Sequence, residues 1–261
     1  MGLLNIFRKK EADTAVDSPP VTPSPAPTKV SLTKNPELNQ KISLRKEIVV
    51  NEVKRQHISA KVARVVFVLD HSGSMRTMYK NGAVQELLER VFPIAMHFDD
   101  NAEMEFYWFD NLYKELPAVN YDTIDGYVQN VILSKNEHFG GTCYAPVMQE
   151  IMNRYAVREP ANIPTFVIFI TDGNNSDKKA SKDMLIQASK YNIFWKFVGI
   201  GDETFDFLAK LDDLKGRFID NANFISVQNI SSMSDEVLYQ KLLTEYQDWL
   251  TLCRQNGIKV E

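Results

Sequence analysis

Asp70-His71-Ser72-Gly73-Ser74 sets one carboxylate and two hydroxyls at alternate positions, directly after the apolar run Val65-Val66-Phe67-Val68-Leu69. A strand buried on both faces reads as such a run, and in open α/β sheets ligands gather beyond the carboxyl ends of the strands. Side chains at i, i+2 and i+4, with Gly73 free to turn sharply among them, can converge on one point. Oxygen donors of this kind suit hard divalent cations, Mg²⁺ above all, which takes a few side chains and keeps several waters. The pattern returns downstream, where Thr165-Phe166-Val167-Ile168-Phe169-Ile170 is a second apolar run ending in Thr171-Asp172-Gly173. Between the two, Phe139-Gly140-Gly141-Thr142 offers a further hydroxyl after two flexible residues. Asp70, Ser72, Ser74, Thr142 and Asp172 are the candidate metal ligands. Taken singly, each also suits a turn or a helix N-cap; their joint order at two strand ends points to a metal.

Such a site needs neighbouring strands that end on the same edge, and the rest of the chain supplies them. Residues 61–69, 104–109, 165–171, 193–200 and 224–227 read as strands, with 112–116 returning as an antiparallel edge after the Asp110-Asn111 turn. Val84, Leu87, Leu88, Val91, Phe92, Ala95 and Phe98 mark one face of a helix, kinked or interrupted near Pro93. Residues 121–133, 144–155, 176–191 and 203–211 follow as helices. A last helix starts at the N-cap Ser234, carries Leu238, Leu242, Tyr246, Trp249 and Cys253 along a core-facing stripe, and ends at Gly257. Repeated βα units predict an α/β fold, a doubly wound, mostly parallel central sheet with helices on both faces and one antiparallel edge strand. Trp108 and Trp195 fall in strands and are assigned to packing. His71 is expected on the exposed rim of the site, and His138 lines it or serves the structure. Asp110 and Asp202 follow strands and stand either as further carboxylates for the crevice or as ordinary turn residues.

Asp70-x-Ser72-x-Ser74, Thr142 and Thr171-Asp172-Gly173, in this order, resemble the metal-ion-dependent adhesion site of von Willebrand factor type A domains. The resemblance covers roughly residues 60–255, and Val198-Gly199-Ile200-Gly201-Asp202 fits the fifth strand of that fold. Phe106-Tyr107-Trp108-Phe109-Asp110 and Phe139-Gly140-Gly141-Thr142 look most like the bacterial tellurium-resistance, TerF-like branch. The resemblance implies a Rossmann-like fold and an ion, Mg²⁺ with Mn²⁺ and Ca²⁺ as alternatives, bound directly by Ser72, Ser74 and Thr142 and through waters by Asp70 and Asp172. An ion ringed mostly by neutral hydroxyls stays electrophilic, so an Asp or Glu carboxylate from a protein partner is expected to complete its shell. The branch further implies a role in tellurite or related chemical stress, with another tellurium-resistance protein as partner.

Two rival functions use the same residues. Mg²⁺-dependent phosphoryl transfer also places metal and phosphate with carboxylates at strand ends. The sequence has no second Asp in a DxDxT arrangement, no GxxxxGK[ST] phosphate loop and no GxSxG elbow, and the expectation is a binding protein rather than an enzyme. The other rival is a scaffold whose ion only stabilises the strand-end loops.

With 34 acidic and 30 basic residues among 261, the net charge of −4 gives no field for nucleic acid. Two cysteines, Cys143 and Cys253, argue against a disulfide framework and for a reducing, cytoplasmic setting. No stretch approaches the roughly 18 apolar residues of a membrane span. Residues 1–10 place an apolar patch before Arg8-Lys9-Lys10, the reverse of a signal peptide, and Ile6 stands where a myristoylation motif has Ser or Thr. This segment is expected to be a disordered terminus, or a short amphipathic anchor that touches a membrane surface weakly or docks in a partner groove. Residues 11–35, with Pro19, Pro20, Pro23, Pro25 and Pro27, form a Pro-rich disordered linker. Residues 36–58 make a helical lead-in that packs on the domain or docks a partner, with Val49-Val50 leaving a strand as the alternative. The domain itself spans 59–256.

Overall fold

In the computed structural model, residues 34–99 and 101–261 are described. The segment 1–10 and nearly all of the Pro-rich stretch, with the surface contact expected of them, lie outside these residues. Six strands form one sheet: β1 (Arg64–Asp70), β2 (Met104–Phe109), β3 (Tyr113–Val119), β4 (Thr165–Thr171), β5 (Ile193–Ile200) and β6 (Ala222–Val227). Their order is β3-β2-β1-β4-β5-β6. Every pairing is parallel except β2 with β3. All residues of β4 and β5 are buried, as strands covered by helices on both faces must be. The edge strand β3 has buried residues only at Leu116 and Val119 and tolerates the exposed Pro117, which has no N–H to donate.

Alternate strand residues feed two cores. Val65, Phe67, Leu69, Phe166, Ile168 and Ile170 join one layer, and Val66, Val68, Val167 and Phe169 the other. The first layer is covered by α1 (Pro36–Arg55), α3 (Ala83–Phe98), α7 (Asp235–Leu243) and α8 (Tyr246–Gln255), the second by α4 (Ala145–Met152), α5 (Lys178–Ala188) and α6 (Asp206–Asp212). The lead-in is a helix, with Pro36 in its first turn and Asn35 Oδ1 accepting from Leu38 N at 3.2 Å. Its buried Leu38, Ile42, Val49 and Val53 pack it against α3 and α7, inside the same core as the sheet.

Several helices differ from the sequence expectation for identifiable reasons. Helix α3 runs unbroken through Pro93, its packing on α1 and β1 outweighing the lost backbone bond. In place of a helix over 121–133 there is a turn, then a π-helical turn at Val128–Ile132 and a 3₁₀ turn at Leu133–Lys135. Asn120 Oδ1 accepts from the N–H of Asp122 (3.0 Å) and Thr123 (3.2 Å), and Gly126 has φ +67°, so local side-chain bonds displace the first helical turn. The C-terminal helix is two helices that meet at Thr244 and Glu245, where Glu245 adopts φ +66°. Ser234 caps α7 as expected, its hydroxyl accepting from Val237 N.

β1 and β4 are neighbours at the centre of the sheet, and the chain crosses to opposite sides from them. Leu69 pairs with Ile170, which sets Asp70 beside Thr171 at the switch point where α/β sheets bind ligands.

Candidate metal centre

Asp70 closes β1 fully buried, and both of its carboxylate oxygens accept hydrogen bonds. Ser72 N–H donates to Oδ1 at 2.7 Å and the Thr171 hydroxyl to Oδ2 at 2.6 Å. The Tyr79 hydroxyl donates to the Asp70 carbonyl at 2.9 Å, fixing the backbone where the strand ends. From there a chain of hydroxyls leads outward. Ser72 Oγ and Ser74 Oγ lie 3.0 Å apart, and Ser74 Oγ donates to Asp172 Oδ1 at 2.9 Å. Residues 98 positions apart in sequence thus share one site.

Thr142 reaches this place through its backbone. Gly140 forms a bridge with Ser72, and its carbonyl accepts from Gly73 N at 3.0 Å. The Thr142 carbonyl accepts from Ser176 N (2.9 Å) and Ser176 Oγ (3.1 Å). The Thr142 loop is therefore clasped between the loop after β1 and the loop after β4, while its hydroxyl is not part of the chain joining Ser72, Ser74 and Asp172. Gly140 has to lack a side chain, because a Cβ there would collide with the Asp110 carboxylate.

Residues outside the motif do the positioning. Asp177 directly precedes α5, and its carboxylate accepts from Tyr144 N (3.0 Å) and Ala145 N (2.8 Å), at the start of α4. It anchors the helix that follows Thr142. The Tyr144 hydroxyl donates to the Gly173 carbonyl at 2.6 Å, tying the same helix to the β4 loop.

His71 departs from its expected place on the rim. It is 1% exposed, stacked between Trp108 (centroids 4.5 Å) and Phe139 (4.0 Å). The bridge of Gly140 to Ser72 draws Phe139 over the imidazole, a contact invisible in local sequence. Burial lowers His71 to about 4, so the ring is neutral. His138 is exposed and lines the adjoining cleft. Asp110 and Asp202 serve local structure, Asp110 Oδ1 accepting from Leu112 N (2.8 Å) and Asp202 Oδ1 from Gln228 Nε2 (2.6 Å). Trp108 and Trp195 are buried packing residues, as expected.

The electrostatics suit a cation. Burial pushes Asp70 up to about 7 against the hydrogen bonds from Thr171 and Ser72, and Asp172 is raised by burial as well. None of the ion pairs among the described residues involves either carboxylate. Two carboxylates with no protein counter-charge, joined by hydroxyl oxygens, make a hard-donor set that fits a small divalent ion. Among the described residues no three His, Cys, Asp or Glu side chains cluster, and the chemistry here belongs to hydroxyls.

Residues 62–259 match the family model vWA-TerF-like, described as the vWA found in the TerF C terminus. The uncharacterized protein YcbR of Bacillus subtilis (strain 168) is 40% identical over 219 residues, 83% of this chain and 89% of that one. The human collagen alpha-5(VI) chain is 25% identical over 198 residues, 69% of this chain and 7% of the collagen chain. Among solved structures, proximal thread matrix protein 1 from the mussel byssus, with a zinc-occupied MIDAS motif, has a TM-score of 0.52 at 16% identity, covering 71% of this chain and 46% of that one. A von Willebrand factor type A protein from Catenulispora acidiphila has a TM-score of 0.51 at 16% identity, covering 71% and 43%. The chain spans somewhat less than half the length of these two, and the likeness is one of fold.

Proposed function

As the chain belongs to the vWA-TerF-like family, we propose that its strand-end centre is a divalent-metal-dependent protein-binding site. Ser72, Ser74 and Thr142 would hold the ion together with Asp70 and Asp172, with Mg²⁺ the preferred metal and Mn²⁺ and Ca²⁺ the alternatives. The ion would supply an electrophilic position for one more anionic oxygen, and a partner's Asp or Glu carboxylate is its natural complement. The observation that carries this reading is the continuous line from buried Asp70 through Ser72 and Ser74 to Asp172, with no cationic side chain among the described residues paired to either end.

Phosphoryl transfer is a weaker reading of the same residues. A nucleophilic Asp70 would have to attack phosphorus, yet it is fully buried and both its oxygens are engaged. We therefore assign recognition rather than catalysis, in a bacterial tellurite or chemical-stress system, with another protein of that system as partner and no role for nucleic acid. Cys143 and Cys253 are free thiols, in keeping with a cytoplasmic protein. No helix among the described residues is long and apolar enough to cross a membrane.

Mn²⁺ titration followed by electron paramagnetic resonance, with Mg²⁺ competition, tests the assignment. The wild-type chain is expected to bind one Mn²⁺ that Mg²⁺ displaces. Ser74→Ala, at an exposed position, is expected to weaken binding by about tenfold or more with an unchanged circular dichroism spectrum. Absence of binding by the folded wild-type chain overturns the metal reading.

A further inference from the structure

Directly beside the metal centre lies a polar cleft of about 500 Å³, bounded by His71, Arg76, Lys80, Glu137 and Phe139. Its cationic wall is a short helix, α2 (Arg76–Lys80), which begins two residues beyond Ser74. Arg76 and Lys80 are four residues apart and so share one face of that helix. Both are exposed, and neither takes part in an ion pair among the described residues. The acid in the lining, Glu137, is already paired with Lys114. The free charge of the cleft is thus positive, on a chain whose net charge is −4.

The cleft is also built to hold its arginine in place. The Arg76 guanidinium lies over the Phe139 ring, 5.1 Å from its centroid, and Phe139 stacks in turn on His71. Stacking orders the guanidinium while leaving its N–H fork free, and that fork matches a carboxylate in two-point geometry. His71 Nδ1 is buried without a hydrogen-bond partner, an arrangement that native interiors rarely leave unanswered.

We infer that this cleft is a second, carboxylate-accepting subsite, which takes another acidic side chain of the partner segment that presents its first carboxylate to the metal. The inference rests on the metal-bridged reading and adds the partner's chemistry to it. An extended segment advances about 3.3–3.6 Å per residue. Since Arg76 is only two residues from Ser74, the two acids should be separated by one to three residues.

Capped Gly/Ser peptides with a fluorescent label provide the test. They carry one Glu, or two Glu separated by one to three residues, and are titrated into the full chain in saturating Mg²⁺ and in EDTA, with Mg²⁺ binding measured separately. The best-spaced two-Glu peptide is expected to bind about tenfold tighter than the one-Glu peptide in Mg²⁺. Arg76→Gln and Lys80→Gln, which keep their aliphatic stems, are expected to remove that advantage while Mg²⁺ affinity and one-Glu binding stay within about twofold. Equal binding of one-Glu and two-Glu peptides at every spacing overturns the subsite, as does an advantage that survives in the double variant. If the advantage needs Arg76 and Lys80 but is the same in EDTA, the metal bridge falls and the anion site stands. If no peptide binds while Mg²⁺ does, the subsite falls and the metal centre stands.

Discussion

Asp70 and Lys196 are both fully buried ionisable side chains on the central sheet, one at the tip of β1 and the other within β5. Lys196 is answered by the protein: its Nζ donates to Asn223 Oδ1, to the Lys241 carbonyl at 3.1 Å and to the Thr244 carbonyl at 2.8 Å. Those carbonyls are at the end of α7, where the helix leaves its last acceptors free. Lys196 thereby holds the break between α7 and α8. Among the described residues Asp70 has hydroxyl and amide donors and no cation. One buried group completes a piece of architecture, and the other sets a carboxyl at the inner end of a hydroxyl chain that reaches the surface at Ser74. On the proposed reading, the difference separates a residue kept for the fold from one kept for a ligand.

Asp70→Asn and Lys196→Met should break the protein in opposite ways. The asparagine side chain is isosteric with the aspartate, its oxygen still accepting from Ser72 N and its amide donating to a Thr171 hydroxyl that turns its own proton away. In EDTA, urea unfolding of this variant should differ from wild type by less than about 1 kcal/mol. Its Mg²⁺ affinity should fall by roughly 100-fold, about 2.7 kcal/mol, and the rise in Tm with added Mg²⁺, which follows from binding only the folded state, should disappear. A loss of EDTA stability as large as the loss of binding would mean that Asp70 is architectural after all.

Lys196→Met leaves the buried Asn223 Oδ1 and the part-buried Lys241 and Thr244 carbonyls without their lysine donor, and urea unfolding should register a loss of about 2 kcal/mol with Mg²⁺ affinity unchanged. The pH dependence sharpens the contrast. Burial pushes Lys196 down to about 7, against Glu245 and Asp212, which pull it up. Between about pH 7 and the ordinary value of 10.5, the unfolded chain holds a proton that the folded chain has released, so stability contributed by this group rises with pH across that window. The wild-type slope in urea midpoint should flatten in the methionine variant. A slope identical in both assigns the effect to other groups.

These two residues also mark what sequence can carry. Strands β2, β4 and β5 match their expected spans of 104–109, 165–171 and 193–200, because a strand covered on both faces writes its burial as a near-continuous apolar run, which a lone Glu105 in β2 or Lys196 in β5 does not hide. Asp70, Ser72, Ser74 and Asp172 were legible as a set since two such runs end in the same kind of donor, and the register of β1 with β4 brings those ends together. The surroundings were not. His71 is buried because Trp108 and Phe139, 37 and 68 residues later in the chain, stack on its two faces. The split of the last helix at Thr244 and Glu245 depends on a lysine 48 residues upstream of Thr244. Contacts of that range leave no periodic trace.

Asp177 tests the boundary between the two classes, for it is architectural in its bonds and holds the helix that starts beside the candidate ligand Thr142. Its carboxylate holds the first N–H groups of α4, the helix that starts just after Thr142. Removing an acceptor at a helix start costs about 1 kcal/mol, and Asp177→Ala should lose that much in urea unfolding in EDTA. Thr142 would then be freer to move, and Mg²⁺ affinity should drop by several-fold, well short of the loss in Asp70→Asn. The stability loss should be similar with and without metal if Asp177 only shapes the helix, and larger with Mg²⁺ present if it also sets Thr142 for the ion. Unfolding the variant in both conditions therefore decides whether Thr142, joined to the site through its backbone alone, belongs with Ser72 and Ser74 among the ligands.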